Sequence, residues 1–229
     1  MNIENKSLGD IVATYPATKL VFDKAGIDYC CGGERLLEET YKESAIEPEQ
    51  LLKDLIQASE RTTTEPNWMK ASYRELIRHI VATHHRFIED TIDETVDLTG
   101  KIYRVHGNHH PELREVFSTV SNLRNELKMH MIDEETAEFP AIEDYEETRS
   151  KAALEKAQSL VQKLRDDHDA AGDALRKIRE LTNNYELPED ACPTYYKTLD
   201  MLRKLEDDMH THVHLENNIL FKRIMAESA

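Results

Sequence analysis

The chain has 229 residues, with 45 acidic against 29 basic side chains and only 7 glycines and 7 prolines. That composition favours helices over an all-β fold, and the net charge of −16 argues against a nucleic-acid partner or adsorption to anionic lipid. No stretch approaches the roughly 18 consecutive apolar residues of a membrane-spanning helix.

The first residues, Met1 to Asp10, lack the basic start and apolar core of a signal peptide. The three cysteines, two of them adjacent, do not make a disulfide framework. The simplest location is a reducing cytoplasm.

Residues 1–58 form a first block. Ile11, Val12, Leu20, Val21 and Phe22 lie in short helical patterns, followed by the turn-rich run Gly26-Ile27-Asp28-Tyr29-Cys30-Cys31-Gly32-Gly33. A helix is expected to resume at Glu34, and another from Pro48 to about Ala58, with Pro48 in its first turn. Residues 59–68, polar and rich in Thr, read as a linker. Residues 69–229 then change texture to long amphipathic segments. Segment A runs from about Ser72 to Leu98, B from about Pro111 to Glu138, C from about Ser150 to Thr182, and D from about Tyr195 to Met225. The predicted breaks fall at Gly100 to Pro111, around Pro140, and at Leu187 to Pro193. The fold class is therefore all-α: a small helical N-terminal domain, then an up-down-up-down four-helix bundle.

The apolar stripes of the long segments are interrupted by a pattern that occurs twice. His130, Glu134 and Phe139 stand at the same relative spacing as His212, Glu216 and Phe221. Positions i and i+4 share one face of a helix, so each copy aims an imidazole and a carboxylate the same way. Segment B reads Leu113, Val116, Val120, Leu123, Leu127, His130, Glu134. Segment D reads Leu202, Leu205, Met209, His212, Glu216, Ile219. Segment C places His168 between Leu164 and Ala171 on its seam. A buried carboxylate without a partner is costly, and a cation supplies the partner. Segment A offers His84 or His85, and periodicity favours His85 only slightly, through Val81, Ile88 and Ile92. The sum is four histidines and two glutamates. With both carboxylates bridging and one oxo or hydroxo group between two ions, each ion has about five donors and keeps a position open for a small ligand. Nitrogen and oxygen donors without thiolate suit iron, manganese or zinc.

These residues resemble the haemerythrin-like bundle, and more narrowly the iron–sulfur cluster repair di-iron proteins of the ScdA/YtfE type. The resemblance begins with Asp28-Tyr29-Cys30-Cys31-Gly32-Gly33, similar to the signature of the ScdA N-terminal domain. It continues through His79-Ile80-Val81 and His85, His130-Met131 with Glu134-Glu135 and Phe139-Pro140, His168-Asp169 with Ala171-Gly172, and His212 with Leu215-Glu216-Asn217-Asn218. One departure is Lys222 after Phe221, where the family usually has Pro. The resemblance implies a centre of two non-haem iron ions held by His85, His130, Glu134, His168, His212 and Glu216, with the glutamates bridging, and it is this resemblance that settles His85 over His84. It also implies a role in restoring iron–sulfur clusters damaged by nitric oxide or oxidants, by donating iron or by reducing nitric oxide. The implied partners are damaged iron–sulfur proteins or a scaffold, with NO or O2 as small ligands. An alternative is a haemerythrin-like carrier or sensor of O2 or NO without turnover. A ferritin-like oxidase ranks low, because its E-x-x-H pairs are replaced here by H-x-x-x-E. The sequence does not set the oligomeric state, and a dimer is compatible with it.

Cys30 and Cys31 precede the helix expected at Glu34, where a helix N-terminus would lower a thiol pKa. They are candidates for redox or iron handling. Cys192, in a Pro-flanked loop, reads as incidental. His106, His109 and His110 read as a solvated loop rather than a second metal site, and His210 and His214 as surface or supporting residues.

Overall fold

The computed structural model describes residues 3, 5–61 and 66–228, with the backbone alone for 162–166. In chain order the helices are α1 (Leu8–Thr14), α2 (Lys19–Ala25), α3 (Pro48–Ser59), α4 (Tyr73–Ile80), α5 (Arg86–His106), α6 (Leu113–Asp133), α7 (Phe139–Thr148), α8 (Lys151–Leu181), α9 (Pro193–His214) and α10 (Lys222–Ala226). π-Helical turns occupy Val81–His85, Glu134–Glu138 and Leu215–Phe221. The fold is all-α. Among the described residues, extended pairing is confined to an isolated bridge between Ser7 and Leu36, and no helix is long and apolar enough to cross a membrane. The chain forms two compact units, Met1–Leu76 with His210–Ala229, and Ile77–Met209.

In the first unit the Ser7 hydroxyl caps α1 by accepting from the Asp10 N–H at 3.2 Å. Helix α2 stops at Gly26, whose φ of 69° lies in the left-handed region. Leu8, Ile11, Phe22, Ile27, Tyr29, Leu37, Leu51 and Leu55 close a common core. The helix expected to resume at Glu34 is not formed; a short 3-10 turn at Leu37–Thr40 stands there instead. The reason is a competition for carbonyls. Gly33 and Arg35 accept from the N–H groups of Gly9 and Leu8, at 2.8 and 2.9 Å. These donors in the first turn of α1 would otherwise lack partners, and serving them holds 33–37 out of a helix.

Of the expected linker, residues 62–65 lie outside the described residues. The stretch after them is pinned: the Arg223 guanidinium donates to the Trp68 and Ala71 carbonyls at 3.0 and 2.8 Å. The tightest packing in this unit surrounds Asn218. Its amide donates to the carbonyls of Tyr29 and Cys30 at 3.1 and 2.9 Å. A Cβ on Gly9 or Gly33 would overlap that amide.

The second unit is a ring of four antiparallel rods: rod one (α4 from Ile77, the π turn Val81–His85 and α5), rod two (α6, the π turn Glu134–Glu138 and α7), α8, and α9 as far as Met209. Rod one pairs with rod two through Asp93–Lys128 and His85–Glu135, both 2.7 Å. Rod two pairs with α8 through Glu115–Lys177 at 2.6 Å and His130–His168 at 2.9 Å. Helix α8 pairs with α9 through Arg179–Glu206 at 2.8 Å. Helix α9 returns to rod one through Lys197–Glu94 and through His84–Asp208 at 2.9 Å. Wherever two contacts join one pair of rods, partner numbers rise on one rod as they fall on the other, as antiparallel neighbours require. Exposed pairs such as Asp93–Lys128 contribute little stability; here they report register. Leu113, Val116, Val120, Leu123, Leu127, Leu154, Ala157, Val161, Leu175, Leu202 and Leu205 are all buried. The side chain of Leu164 lies outside the described residues.

Two predicted breaks move. Rod one continues through Gly100 to His106, because Phe117 fills the space beside that glycine; a Cβ there would meet Phe117 Cε2 at 2.9 Å. Rod two continues through Pro140 to Thr148. Pro140 has no N–H to give the ladder and its ring crowds the preceding turn. It falls just after the widened π turn Glu134–Glu138, at the start of the next regular stretch. The chain reverses instead at Arg149, φ 51°, and Ser150, whose hydroxyl caps α8 on the Ala153 N–H.

Gly33→Ala should displace the Asn218 amide and lower the unfolding free energy by about 1–3 kcal/mol. In the background of Asn218→Ala the same change should cost clearly less, a non-additivity read from urea unfolding midpoints. Additive effects would argue against the clamp.

Candidate metal centre

Glu134 is the focus of the second unit. It is fully buried, at 0% exposure, and its two oxygens face different imidazoles. His85 Nε2 lies 3.3 Å from Oε2, and His130 Nε2 lies 3.3 Å from Oε1. His130 Nε2 also lies 2.9 Å from His168 Nε2. The outward nitrogen of one of these rings is occupied by an acid: His85 Nδ1 is 2.7 Å from Glu135 Oε1, while His130 Nδ1 faces Asp167 Oδ2 at 3.5 Å, outside a normal hydrogen bond. A carboxylate on Nδ1 fixes the proton there and leaves Nε2 as the inward electron pair, as in metal-binding histidines. Phe139 stacks on the His85 ring, centroids 5.7 Å apart.

These separations test whether the residues fit a metal. Two adjacent donors about 2.1 Å from one ion stand roughly 3.0–3.4 Å apart, depending on whether the angle is octahedral or tetrahedral. The inward contacts of 2.9–3.3 Å match that range. The ligating atoms of His130, Glu134 and His168 all lie within 4.8 Å of one another. The donor set fits iron or a similar first-row ion.

His84, the rival of His85 in the sequence, is also buried, but its Nδ1 pairs with Asp208 Oδ1 at 2.9 Å. These adjacent residues point in different directions, as neighbours on a helix do, and both lie in the π turn Val81–His85. A regular 3.6-residue count cannot see an inserted residue, which is why periodicity leaves the two nearly tied. π Turns commonly mark functional positions in helices, and here each one carries a histidine or glutamate of the candidate set.

The first unit holds the second copy of the motif. His212 and Glu216 are buried at 1% and 0% exposure, with His212 Nε2 2.9 Å from Glu216 Oε1. His130 and Glu134 use the same pair of atoms. The likeness extends to the backbone, since a π turn begins at Glu134 and another at Leu215. Two residues beyond Glu216, Asn218 clamps the cysteine turn. Within that turn Asp28 accepts from the N–H groups of Cys30, Cys31 and Gly32 at 3.0–3.1 Å, and the Cys30 thiol lies 3.1 Å from Asp28 Oδ1. The two Sγ atoms stand 3.9 Å apart, with no disulfide. Because no helix starts at Glu34, the expected lowering of the thiol pKa by a helix N-terminus is corrected: contact with Cys31, burial and the nearby Asp28 push Cys30 well above the ordinary thiol value. His214, read from the sequence as a surface or supporting residue, is buried; burial and the charge of Lys19 push it down to about 3, so it is neutral.

Both halves of the sequence match known families. Residues 4–59 match the ScdA_N model, a domain of unknown function, and residues 76–224 match the hemerythrin HHE cation-binding domain. The chain is 30% identical over 222 residues to the iron–sulfur cluster repair protein ScdA of Staphylococcus haemolyticus, covering 96% of this chain and 99% of the relative. It is 30% identical over 230 residues to a probable iron–sulfur cluster repair protein of Haemophilus influenzae, covering 99% and 100%. It is 29% identical over 226 residues to YtfE of Citrobacter koseri, covering 99% of each. The chain belongs to the ScdA/YtfE family of iron–sulfur cluster repair proteins. Its haemerythrin-type segment includes every histidine and glutamate discussed above, and its ScdA_N segment includes the Asp28–Cys31 turn.

Three acids beside the candidate set are not singled out by helical periodicity. Glu135 stands beside Glu134 but carries no signal of its own, because it lies off the seam. Asp167 is exposed and looks like any surface acid. Glu138 is buried with Oε2 unpaired, and its burial raises its pKa.

Glu135→Gln keeps the volume but removes the charge that holds the His85 proton on Nδ1. Metal affinity should fall by about 10–100-fold, measured by competition with a chromophoric chelator, while helix content by circular dichroism stays unchanged. Unchanged affinity would remove Glu135 from the centre.

Proposed function

We propose that this protein is a di-iron protein that helps restore iron–sulfur clusters damaged by nitric oxide or oxidants, working in the cytoplasm on damaged iron–sulfur proteins. His85, His130, Glu134, His168, His212 and Glu216 would hold two iron ions, with the two glutamates as bridges. The observation that carries the reading is the buried carboxylate of Glu134 with a different imidazole at each oxygen. The matched H-x-x-x-E spacing, the repetition of its His–Glu contact at His212 and Glu216, and a haemerythrin match spanning both copies support it. Relatives over the whole length carry the name of iron–sulfur cluster repair proteins.

When bound, a pair of irons supplies redox chemistry and open positions for small ligands such as NO or O2. The chain's own part is separable. Glu135 keeps the Nδ1 proton of His85 in place, so that Nε2 stays available, and Asp167 faces Nδ1 of His130. The zero exposure of Glu134 and Glu216 excludes bulk water from both carboxylates and strengthens every charge interaction they make. Asn218 ties the cysteine turn to the segment that carries Glu216. In that turn the donor atoms of Asp28, Cys30 and Cys31 lie within 4.8 Å of one another, and Cys31 is the more exposed sulfur of the pair. We take the trio as the place where iron, as cargo, or an electron enters or leaves. Two domains, the block 1–58 and the bundle 69–229 joined by 59–68, would then divide the work of exchange and storage. A carrier or sensor without turnover would have no use for the thiols.

Glu134→Ala or Glu216→Ala should lose most bound iron by mass spectrometry with little loss of helix. Cys30→Ala with Cys31→Ala should keep the iron and lose reactivation of a nitric-oxide-damaged iron–sulfur enzyme. A double cysteine variant with full reactivation would assign the thiols no part in repair.

A further inference from the structure

Cys192 sits at a built site in the second unit, beside His106, which lies about 30 Å along α5 from His85 at 1.5 Å per residue. It is the residue before Pro193, which opens α9, and its carbonyl accepts the Tyr196 N–H at 3.1 Å. It is thus the N-cap of a 22-residue helix. Its Sγ lies 3.3 Å from His106 Nε2. The other ring nitrogen, Nδ1, faces Asp190 Oδ2 at 3.9 Å. Tyr195 packs edge-on against the His106 ring, centroids 5.3 Å apart. The sulfur and the Asp190 carboxylate thus face opposite nitrogens of one ring, the carboxylate beyond hydrogen-bond distance, and the sulfur is at a helix N-terminus and only partly buried.

We propose that Cys192 and His106 form a thiolate–imidazolium pair, a second reactive site of this protein that is oxidised by small uncharged hydroperoxides. The charges around it are few and accounted for. Asp190 and Glu112 are engaged by His110, at 2.8 and 3.1 Å. The hydrogen bond from His106 and the backbone N–H groups of Tyr195 and Thr194 draw the thiol down to about 7 against a slight opposing effect of burial. His109 is exposed, and the donors of this cluster do not converge as those of the metal groups do, so a second metal site is the poorer reading. Anionic reagents are disfavoured by Asp190 and by the acids Glu112, Glu186 and Glu189 in the adjoining cleft of about 290 Å³.

In the step itself the thiolate sulfur attacks one oxygen of hydrogen peroxide. The S–O bond forms as the O–O bond breaks, and the departing hydroxide takes the His106 proton and leaves as water. The products are a sulfenic acid on Cys192 and a neutral imidazole. Sulfur loses two electrons and peroxide gains them.

The test uses the full-length, metal-loaded protein. Alkylation by iodoacetamide from pH 5.5 to 9.5, followed at the Cys192 peptide by mass spectrometry, should show its half-maximal rate near pH 7. In His106→Gln the midpoint should move to the ordinary thiol range, about 8.5. Dimedone trapping after hydrogen peroxide should label Cys192 before Cys30 and Cys31, and less so in His106→Gln. A wild-type midpoint above 8 overturns the proposal even if the variant does not fold. So does a His106→Gln midpoint equal to wild type, or dimedone on Cys30 or Cys31 ahead of Cys192.

Discussion

A carboxylate with no exposed surface must be neutralised, protonated or matched by positive charge. Glu134 has an imidazole Nε2 3.3 Å from each oxygen, an arrangement that a cation between them would complete, and the second unit is organised around it. Rods one and two must run antiparallel for His85 to reach Glu134 from across the interface, while His130 reaches it from one turn away. Helix α8 must approach closely enough for His168 to touch His130. The aliphatic seams of Leu, Val and Ile supply the burial that drives assembly. The cluster accounts for polar residues being on the seams at all.

The π turns carry the geometry that a regular helix would not. An extra residue in a turn rotates the remainder of the helix about its axis, so side chains beyond it face directions that a regular 3.6-residue count would not give them. His84 and His85, neighbours on the helix and so about 100° apart in direction, face Asp208 and Glu134 respectively. Glu134 and Glu138, at the two ends of one π turn, are both buried. The third π turn places Glu216 against His212 and also aims Asn218 at the Tyr29 and Cys30 carbonyls. In the first unit a single segment thus serves both a candidate metal ligand and the cysteine turn. Gly9 and Gly33 leave room for that arrangement.

Much of this is legible in the sequence because the signals are periodic. Apolar steps of three and four mark the four rods, and the doubled H-x-x-x-E spacing points to the histidines and glutamates. The illegible remainder comes from interactions without a period. Intrinsic propensity makes Gly100 and Pro140 breakers, yet both sit inside rods because Phe117 and a π turn accommodate them. The helix expected at Glu34 loses to hydrogen bonds from Leu8 and Gly9, which lie some 25 residues away in sequence. The thiol argument that depends on that helix falls with it. Cys192 looks incidental because its partner His106 is 86 residues earlier. Glu135 acts through the outer nitrogen of His85 and Asp167 faces that of His130, and nothing in their own spacing distinguishes them from solvated acids.

The central claim is that imidazoles and carboxylates from both copies of the motif serve one dinuclear iron centre. The Mössbauer spectrum of the protein loaded with ⁵⁷Fe tests it most directly. Two irons per chain in the oxidised protein should give a quadrupole doublet without magnetic splitting at liquid-helium temperature in a weak field, the sign of two coupled ferric ions. A magnetically split spectrum of isolated ferric ions, or a single tightly held iron per chain, would contradict it.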